Sequence, residues 1–253
     1  MITFSEAQLL AWITPLLWPF LRALALFTAM PVLGTRTVPM RVRIGLAAFV
    51  SLAAQPMLPP IAVVPLDAPP ALLVAAQQVV VGLVMGFAVR LVFAAVEFGG
   101  ELIGLQMGLN FAAFFDPMSA STATATSRFF GTTIAWLFVV GNGHLVVILA
   151  LAHSFTAIPV APEPLSWLYG VQPQQWGAQV FSGGLAVALP LVVMMLLVNL
   201  VLGVISRVAP QINVFSIGFP VTLSVGLLGM LVTLPMLDVP FNAALARMLS
   251  HFQ

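Results

Sequence analysis

Residues 71–107 read ALLVAAQQVVVGLVMGFAVRLVFAAVEFGGELIGLQM and form the longest apolar stretch of the chain. As one α-helix this stretch would extend about 55 Å at 1.5 Å per residue, against roughly 30 Å of hydrocarbon in a bilayer. Its only charged residues are Arg90, Glu97 and Glu101. A helix of this length and composition is better suited to packing in a protein assembly than to standing alone in lipid.

The composition of the whole chain indicates its class. Of its 253 residues, 61% are hydrophobic and 6% are charged, whereas soluble domains carry about 25% charged residues. So little charge cannot cover a water-facing surface, which excludes a soluble enzyme and a disordered chain and predicts an all-α membrane protein. The net charge of +1 provides no electrostatic footprint for nucleic acid. The absence of cysteine excludes disulfides and thiolate metal sites.

Six long apolar segments predict six helices that could span a membrane, because each exceeds the roughly 20 residues that a span needs. They are residues 9–33, 44–64, 71–107, 129–158, 178–206 and 212–237, followed by an amphipathic tail after Pro240. Arginine occurs in the odd-numbered connections between them and not in the even-numbered ones. Because positive residues concentrate on cytoplasmic loops, we expect the odd-numbered connections in the cytoplasm and both termini outside.

One helical stripe follows the 71–107 segment. Steps of three, four or seven residues place glycines and charged side chains on the same side of a helix. They are Gly82, Gly86, Arg90, Glu97, Glu101, Gly104 and Gly108. Small residues allow another helix to approach closely, and ions buried in lipid need partners. The stripe therefore has three interpretations: ordinary helix packing, an interface with a partner subunit, or a proton or ion relay.

The connection GLNFAAFFDPMSASTATATSR, residues 108–128, combines aromatic side chains with a turn and a run of small hydroxyl residues. Asp116-Pro117 favours a turn, and the Ser/Thr run disfavours a stable helix. Its large apolar side chains are those of Phe111, Phe114, Phe115 and Met118. These side chains would be poorly hydrated if exposed, so we expect them in a lumen, against a partner or on the protein's own helices. A loop folded on the core and a functional plug are both compatible with this composition.

Motifs for catalysis or metal binding do not occur in the sequence. His144 and His153 are nine residues apart, on opposite sides of a helix and without an acidic neighbour. HExxH, GxSxG and phosphate-binding glycine loops are absent. We therefore expect no enzyme activity, no cofactor and no metal site.

The connection RVAPQINVFSIGFP, residues 207–220, has the chemistry of a tight polar turn between two apolar helices. Arg207 can bind the last helix carbonyls, and Pro210 prevents the helix from continuing. The residues of this pattern are Arg207, Pro210, Gln211, Asn213, Phe215, Gly218 and Pro220. The pattern resembles the signature of the FliR/SctT family of type III secretion export-gate proteins. Three further stretches agree with that family in the same order: LLWPFLRALALFTAMPVLG at 16–34, GGELIGLQMGLN with Asp-Pro after it at 99–117, and GNGHLVVILALAHSF at 141–155.

The resemblance implies a function that composition and periodicity do not. Proteins of this family join FliP and FliQ in the core export gate, with FlhB and FlhA associated, and the gate passes unfolded flagellar proteins across the bacterial inner membrane at the flagellar basal body. It implies an assembly of helical hairpins, about six long apolar helices in this chain, largely raised above the inner membrane. The apolar faces would meet membrane lipid on insertion and other subunits instead of lipid once the gate is assembled. It also implies a FliP-like part over residues 1–177 and a FliQ-like hairpin with the amphipathic tail over residues 178–253.

A pore plug is a further implication of the resemblance. On this chain the plug includes Asn110, Phe111, Phe114, Phe115, Asp116, Pro117 and Met118. The aromatic side chains and Met118 would fill a narrow apolar lumen and exclude water and ions. The Ser/Thr run after them would provide the slack that lets the plug move aside.

Two alternatives stay open at this point. The equivalent gate subunit of a virulence injectisome differs from the flagellar one only in details of the motifs. A transporter of ions or small molecules that acts alone would use Arg22, Arg90, Glu97 and Glu101 as substrate or proton sites within the membrane. Against the transporter, no inverted repeat is visible and the charges are clustered in one segment.

Overall fold

The computed structural model describes residues 6–61, 64, 69–109, 124–160, 167, 173–211 and 214–252. These residues form helices and connections, with no β-strand among them, and the all-α prediction is confirmed. The α-helices are α1 (Glu6–Ala29), α2 (Met40–Ala54), α3 (Pro69–Gln106), α4 (Ala125–Val140), α5 (Gly143–Ala157), α6 (Pro173–Val208), α7 (Val214–Thr233) and α8 (Asp238–Leu249). Short 3₁₀ turns occupy Gln55–Met57, Leu234–Leu237 and Ser250–Phe252.

The long third segment forms one uninterrupted helix, as predicted. α3 has 38 residues, which corresponds to about 57 Å. The fourth predicted segment, 129–158, is instead divided between α4 and α5. The break follows Gly141, where Asn142 adopts a left-handed conformation with φ of 59°. A non-glycine residue in this conformation interrupts the helical path, which the apolar composition of the segment conceals.

Three helical stretches in the described part of the chain are long and apolar enough to cross a membrane: Pro69–Gln106, Gln174–Val208 and Ser216–Phe252. The last of them combines α7, the 3₁₀ turn after it, α8 and the final 3₁₀ turn. The α4–α5 pair, counted as one broken span, raises the number to four. With 15 residues, α2 is shorter than the roughly 20 that a span needs, and Ile13–Ala29 is also a shorter apolar helix. The described residues therefore contain fewer candidate spans than the six apolar segments predict.

The chain divides into two compact units, and the first comprises Met1–Arg90, Asn142–Pro173 and Leu245–Gln253. Within it, α2 and the residue after it donate side-chain hydrogen bonds to two backbone carbonyls of α1, one of which lacks its helical donor. Pro19 has no N–H, so the Pro15 carbonyl lacks its usual helical donor, and the Gln55 side-chain amide donates to that carbonyl at 2.7 Å. The Ser51 hydroxyl donates to the Leu16 carbonyl at 3.0 Å.

The first unit also contains a close contact between α1 and α3. A Cβ atom on Gly82 would collide with the Arg22 carbonyl and would lie 2.8 Å from the Ala25 Cβ. A Cβ atom on Gly86 would lie 2.8 Å from the Leu26 carbonyl oxygen. Both glycines are buried, so their small size is used in a contact within this chain.

The second unit comprises Leu91–Gly141 and Gln174–Ala244. An aromatic cluster in its core joins α3, α4 and α8. The rings of Phe93 and Phe138 are 5.6 Å apart, and that of Phe241 lies 5.5 Å from Phe93, in edge-to-face geometry. α3 and α6 approach through glycines, since a Cβ atom on Gly99 would lie 2.9 Å from the Gly184 carbonyl oxygen.

The tail after Pro240 forms α8 and the final 3₁₀ turn, and its apolar side chains are buried in protein. Phe241 is buried in the second unit, and Leu245, Leu249 and Phe252 are buried in the first. The amphipathic tail is thus helical, and its apolar side is buried in protein rather than left free for an interface.

We expect Gly86→Ala to destabilise the protein by about 1–3 kcal/mol, the usual cost of overpacking a helix contact. The added methyl group meets the backbone of α1, which cannot move without disturbing the whole helix. Thermal unfolding of the purified protein in detergent measures the effect. The matched control is Gly203→Ala in α6, where an added Cβ meets nothing within 4 Å and helix propensity favours alanine by about 1 kcal/mol. Equal melting temperatures for the two variants would contradict the α1–α3 contact.

Candidate functional site

The predicted plug, residues 110–118, lies outside the described residues, but both of its borders are defined. At the end of α3, the Gly108 N–H donates to the Leu105 carbonyl at 3.1 Å, and Gly108 has φ of 78°. Glycine adopts this left-handed conformation readily and commonly ends helices in this way. On the far side, the Thr124 hydroxyl accepts from the Ser127 N–H at 3.2 Å and caps α4. The predicted plug segment thus begins after a glycine that ends α3 and finishes at a threonine that caps the start of α4.

The end of α3 is held by two neighbouring helices of the second unit. Gly104 faces α4, where the Thr126 hydroxyl occupies the space that a Cβ atom would need. The Thr222 hydroxyl of α7 donates to the Met107 carbonyl at 3.4 Å, and the Met107 side chain lies against Gly226. Contacts with α4 and α7 therefore fix the position from which the plug segment departs.

An apolar pocket of about 410 Å³ lies beside both borders of the plug segment. Its lining residues are Leu109, Ala125, Thr126, Phe129, Leu223, Leu227, Met230, Leu231 and Leu234. Thr126 is the one polar side chain among these described lining residues, so the pocket suits apolar side chains.

The glycines of the predicted stripe contact different helices of this chain. Gly82 and Gly86 face α1 in the first unit, whereas Gly104 faces α4 in the second. Gly108 ends α3. The glycines of the stripe thus allow close approach between helices of this same chain. Contact of the stripe with a partner subunit stays a prediction.

The charged residues of the stripe are less buried than its glycines. Arg90 and Glu97 are exposed and Glu101 is half-buried. The Glu97 carboxylate lies beside Gly131 of α4, where a Cβ atom would be 2.9 Å from its Oε1 atom. Glycine at 131 leaves room for this carboxylate.

The signature connection has the turn that its sequence predicts. α6 ends at Val208 with Arg207 in its last turn, the Ala209 N–H donates to the Ile205 carbonyl at 2.8 Å, and α7 begins at Val214. Arg207, Pro210, Gln211 and Pro220 are exposed, and Gly218 is buried. Asn213 and the side chain of Phe215 lie outside the described residues.

Arg22 is the centre of a buried polar cluster in the first unit. It has no exposed surface, and its Nε donates to Gln78 Oε1 at 2.8 Å. Its Nη1 donates to the Ser154 hydroxyl at 2.8 Å and its Nη2 to the Ile158 carbonyl at 2.9 Å. The guanidinium carbon lies 3.7 Å from the centre of the Phe155 ring. One side chain thereby joins α1, α3 and the end of α5.

The acceptors around Arg22 are uncharged groups of the protein. Gln78 is itself held by Gln77, whose Oε1 accepts from Gln78 Nε2 at 2.9 Å, and Gln77 Nε2 donates to the Pro159 carbonyl at 3.2 Å. Since Nε, Nη1 and Nη2 all donate to these acceptors, the structure gives Arg22 a helix-joining role. The transporter alternative had assigned Arg22 to a substrate or proton site.

The sequence analysis did not predict the polar cluster around Arg22, although polar residues within apolar helices could have indicated it. Gln77 and Gln78 are adjacent amides in an apolar helix, and Ser154 is a hydroxyl in another. Buried polar groups require hydrogen-bond partners, so these residues could have been paired with the buried arginine. Among the described residues, no three His, Asp or Glu side chains are grouped closely enough to hold a metal ion.

Comparison of the amino-acid sequence with known proteins identifies the family of this chain. The sequence matches the family described as bacterial export proteins, family 1, over residues 13–248. The chain belongs to this family. It is 41% identical over 241 residues to the flagellar biosynthetic protein FliR of Escherichia coli strain K12, covering 95% of this chain and 92% of that protein. It is 38% identical to the protein of the same name from Pectobacterium carotovorum, with the same coverage, and 33% identical to that of Buchnera aphidicola from Acyrthosiphon pisum, covering 95% and 93%.

The matched range of this bacterial export protein contains every site described above. It includes Arg22 and its partners, the borders of the predicted plug at Gly108 and Thr124, and the turn after Arg207. The resemblance carried by the quoted motifs is therefore confirmed at the level of the family.

We expect Arg22→Lys to lower the stability of the protein by about 2–4 kcal/mol. A lysine ammonium is a point charge that cannot reproduce the planar fork of arginine, and each buried acceptor left without a donor costs about 1–3 kcal/mol. Thermal unfolding in detergent checks the prediction, with Arg247→Lys at an exposed position as the control. If both variants unfold at the wild-type temperature, the cluster does not join the helices.

Proposed function

We propose that this chain is a non-enzymatic subunit of the flagellar type III protein export gate. It shapes and plugs the channel that passes unfolded flagellar proteins across the bacterial inner membrane at the flagellar basal body. The observation that carries the proposal is the similarity to flagellar biosynthetic proteins over 95% of this chain. These relatives favour a flagellar gate over the injectisome and transporter alternatives.

The exposed surface of α6 supports a role within an assembly. Apolar side chains at steps of three and four residues are exposed from Phe181 to Val208, a distance of about 40 Å along the helix. The hydrocarbon of a bilayer is roughly 30 Å thick, so about 40° of tilt, the upper end of what spans adopt, would be needed to cover this length with lipid. Contact with other subunits covers it without such tilt.

Asn199 gives a second reason to place protein against α6. Asn199 is exposed in the last third of this helix, between Leu197 and Leu200, which are 60% and 64% exposed. An amide facing hydrocarbon finds no hydrogen-bond partner, whereas one facing another helix does. We assign the partners on this face to FliP and FliQ subunits, with FlhB and FlhA associated with the gate.

The two parts of the chain receive different roles in this proposal. Residues 1–177 form the FliP-like part and include the plug at about 108–128. Residues 178–253 form the FliQ-like hairpin, built on α6 and α7, with the tail. The described borders of the plug at Gly108 and Thr124, together with the packing of α3 on α4 and α7, support a plug that is held at both ends.

Co-expression tests the gate assignment. We expect the tagged chain to be extracted with FliP and FliQ of the same organism as one hetero-oligomer of defined mass, and to be unstable or aggregated when it is produced alone. Its exposed apolar faces have no partner in the second case. Native mass spectrometry in mild detergent measures both preparations. A single chain that is monodisperse and does not bind FliP or FliQ would overturn the proposal and favour a transporter that acts alone.

The variant Asn199→Leu distinguishes a protein-facing α6 from a lipid-facing one. If Asn199 bonds to a partner subunit, its loss weakens assembly about threefold to thirtyfold, since such hydrogen bonds are worth roughly 0.6–2 kcal/mol between membrane helices. If α6 faces lipid, leucine is tolerated or favoured. The fraction of assembled complex, measured against Val193→Leu as an apolar control on the same helix, decides between the two.

Removal of residues 110–120 tests the plug. We expect the complex to assemble normally and the membrane to become permeable to ions, because the aromatic side chains that would fill the lumen are lost. Conductance of reconstituted complexes, or growth of cells under ionic stress, measures the leak. The matched control replaces residues 119–123 by an equally long Gly/Ser sequence and keeps every aromatic residue, so it should stay closed. Unchanged permeability in the deletion would contradict the plug assignment.

A further inference from the structure

The turn between α1 and α2 carries a concentration of positive charge. Of the eight basic residues of the chain, Arg36, Arg41 and Arg43 lie within eight positions of one another. Arg36 and Arg41 are exposed, and Arg43 is half-buried and donates to the Thr35 carbonyl. No Asp or Glu occurs between residues 7 and 66, so nothing along this stretch of the sequence neutralises the arginines.

The exposed side of α2 continues from these arginines as an apolar surface. Val42, Phe49 and Leu52 are 53%, 67% and 58% exposed. Arg41 and Leu52 are eleven residues apart, which places them on the same side of the helix. The surface thus has a basic end and an apolar body, the combination expected where a helix enters a membrane with its arginines at the level of the headgroups.

A groove between α1 and α2 adjoins this surface. It has a volume of about 290 Å³. It is lined by Ile13, Leu16, Leu17 and Phe20 of α1 and by Ala48, Ser51 and Leu52 of α2. The Ser51 hydroxyl donates to the Leu16 carbonyl, so the groove has no free polar group at that point and its wall is apolar.

The groove extends away from the arginines to a depth that fits one leaflet of a membrane. At 1.5 Å per residue, Ala48 lies about 10 Å and Leu52 about 16 Å from Arg41 along α2. Half of the hydrocarbon thickness of a bilayer is about 15 Å. A phosphate at the level of Arg41 would therefore place an attached acyl chain alongside Ala48 and Leu52.

We propose that Arg36, Arg41 and the groove between α1 and α2 bind an anionic phospholipid. The arginines bind its phosphate, and the groove takes one acyl chain. A free anion would use the charge and leave the groove empty, whereas a zwitterionic phospholipid would bring its own ammonium group close to the arginines and offset the attraction of its phosphate. The positive-inside rule places this connection on the cytoplasmic side, where anionic lipids attract arginine. This inference does not depend on the export-gate proposal.

Lipid binding to the full-length protein tests the inference. We expect the protein, purified in a neutral detergent, to bind phosphatidylglycerol more tightly than phosphatidylcholine when each is titrated and followed by native mass spectrometry. The double variant Arg36→Gln, Arg41→Gln should lower the affinity for phosphatidylglycerol about 30-fold, the effect expected for two arginines at an anionic headgroup. The control Arg128→Gln, Arg247→Gln removes the same charge from other exposed positions and should leave the affinity unchanged.

A second variant tests the groove separately from the charge. Ala48→Phe fills the groove and should lower the affinity for phosphatidylglycerol about tenfold through lost apolar burial, while the arginines are intact. Circular dichroism and thermal unfolding verify that the variants fold, and Ala48→Leu replaces Ala48→Phe if the larger side chain is not tolerated. Equal binding of the two lipids, an equal loss in the charge control, or no loss on filling the groove would each overturn the proposal.

Discussion

The close approach of α1 and α3 is the contact on which the first unit depends. The Arg22 carbonyl lies over Gly82, and the side chain of the same arginine reaches Gln78 one turn earlier on α3. A larger residue at Gly82 would push the two helices apart and lengthen the Arg22–Gln78 hydrogen bond. A buried cation that loses an acceptor is costly, so the glycine and the arginine form one structural requirement. The bond from Arg22 to Ser154 extends that requirement to α5.

The features set by local sequence could be predicted, and those set by distant contacts could not. α3 is a single helix, as its uninterrupted apolar run predicts, and α6 ends where Pro210 follows Arg207. Periodicity placed the stripe on one side of α3, but it could not show that α1 and α4 meet α3 at different positions along its length. The Arg22–Ser154 bond joins residues 132 positions apart, a pairing that no local pattern contains.

The residue types of the candidate plug predict its surroundings, and the family resemblance alone implies its role as a plug. The aromatic side chains around Asp116-Pro117 indicate that this connection is buried in apolar surroundings. An apolar lumen and a protein core would bury these side chains equally well. The structure adds the borders: a glycine in a left-handed conformation at 108 and a threonine cap at 124. Helices α3 and α4 thus end and begin at defined positions, so a change in the intervening segment need not disturb either helix.

The carbonyl of Pro15 has a consequence for how the chain is made. Its hydrogen-bond donor is not on α1 but is the side chain of Gln55, which is synthesised forty residues later. Until that part of the chain leaves the ribosome, α1 carries an unsatisfied polar group among apolar side chains, an unfavourable condition in lipid. The backbone hydrogen bonding of the first helix is thus completed by the residue that directly follows the second helix.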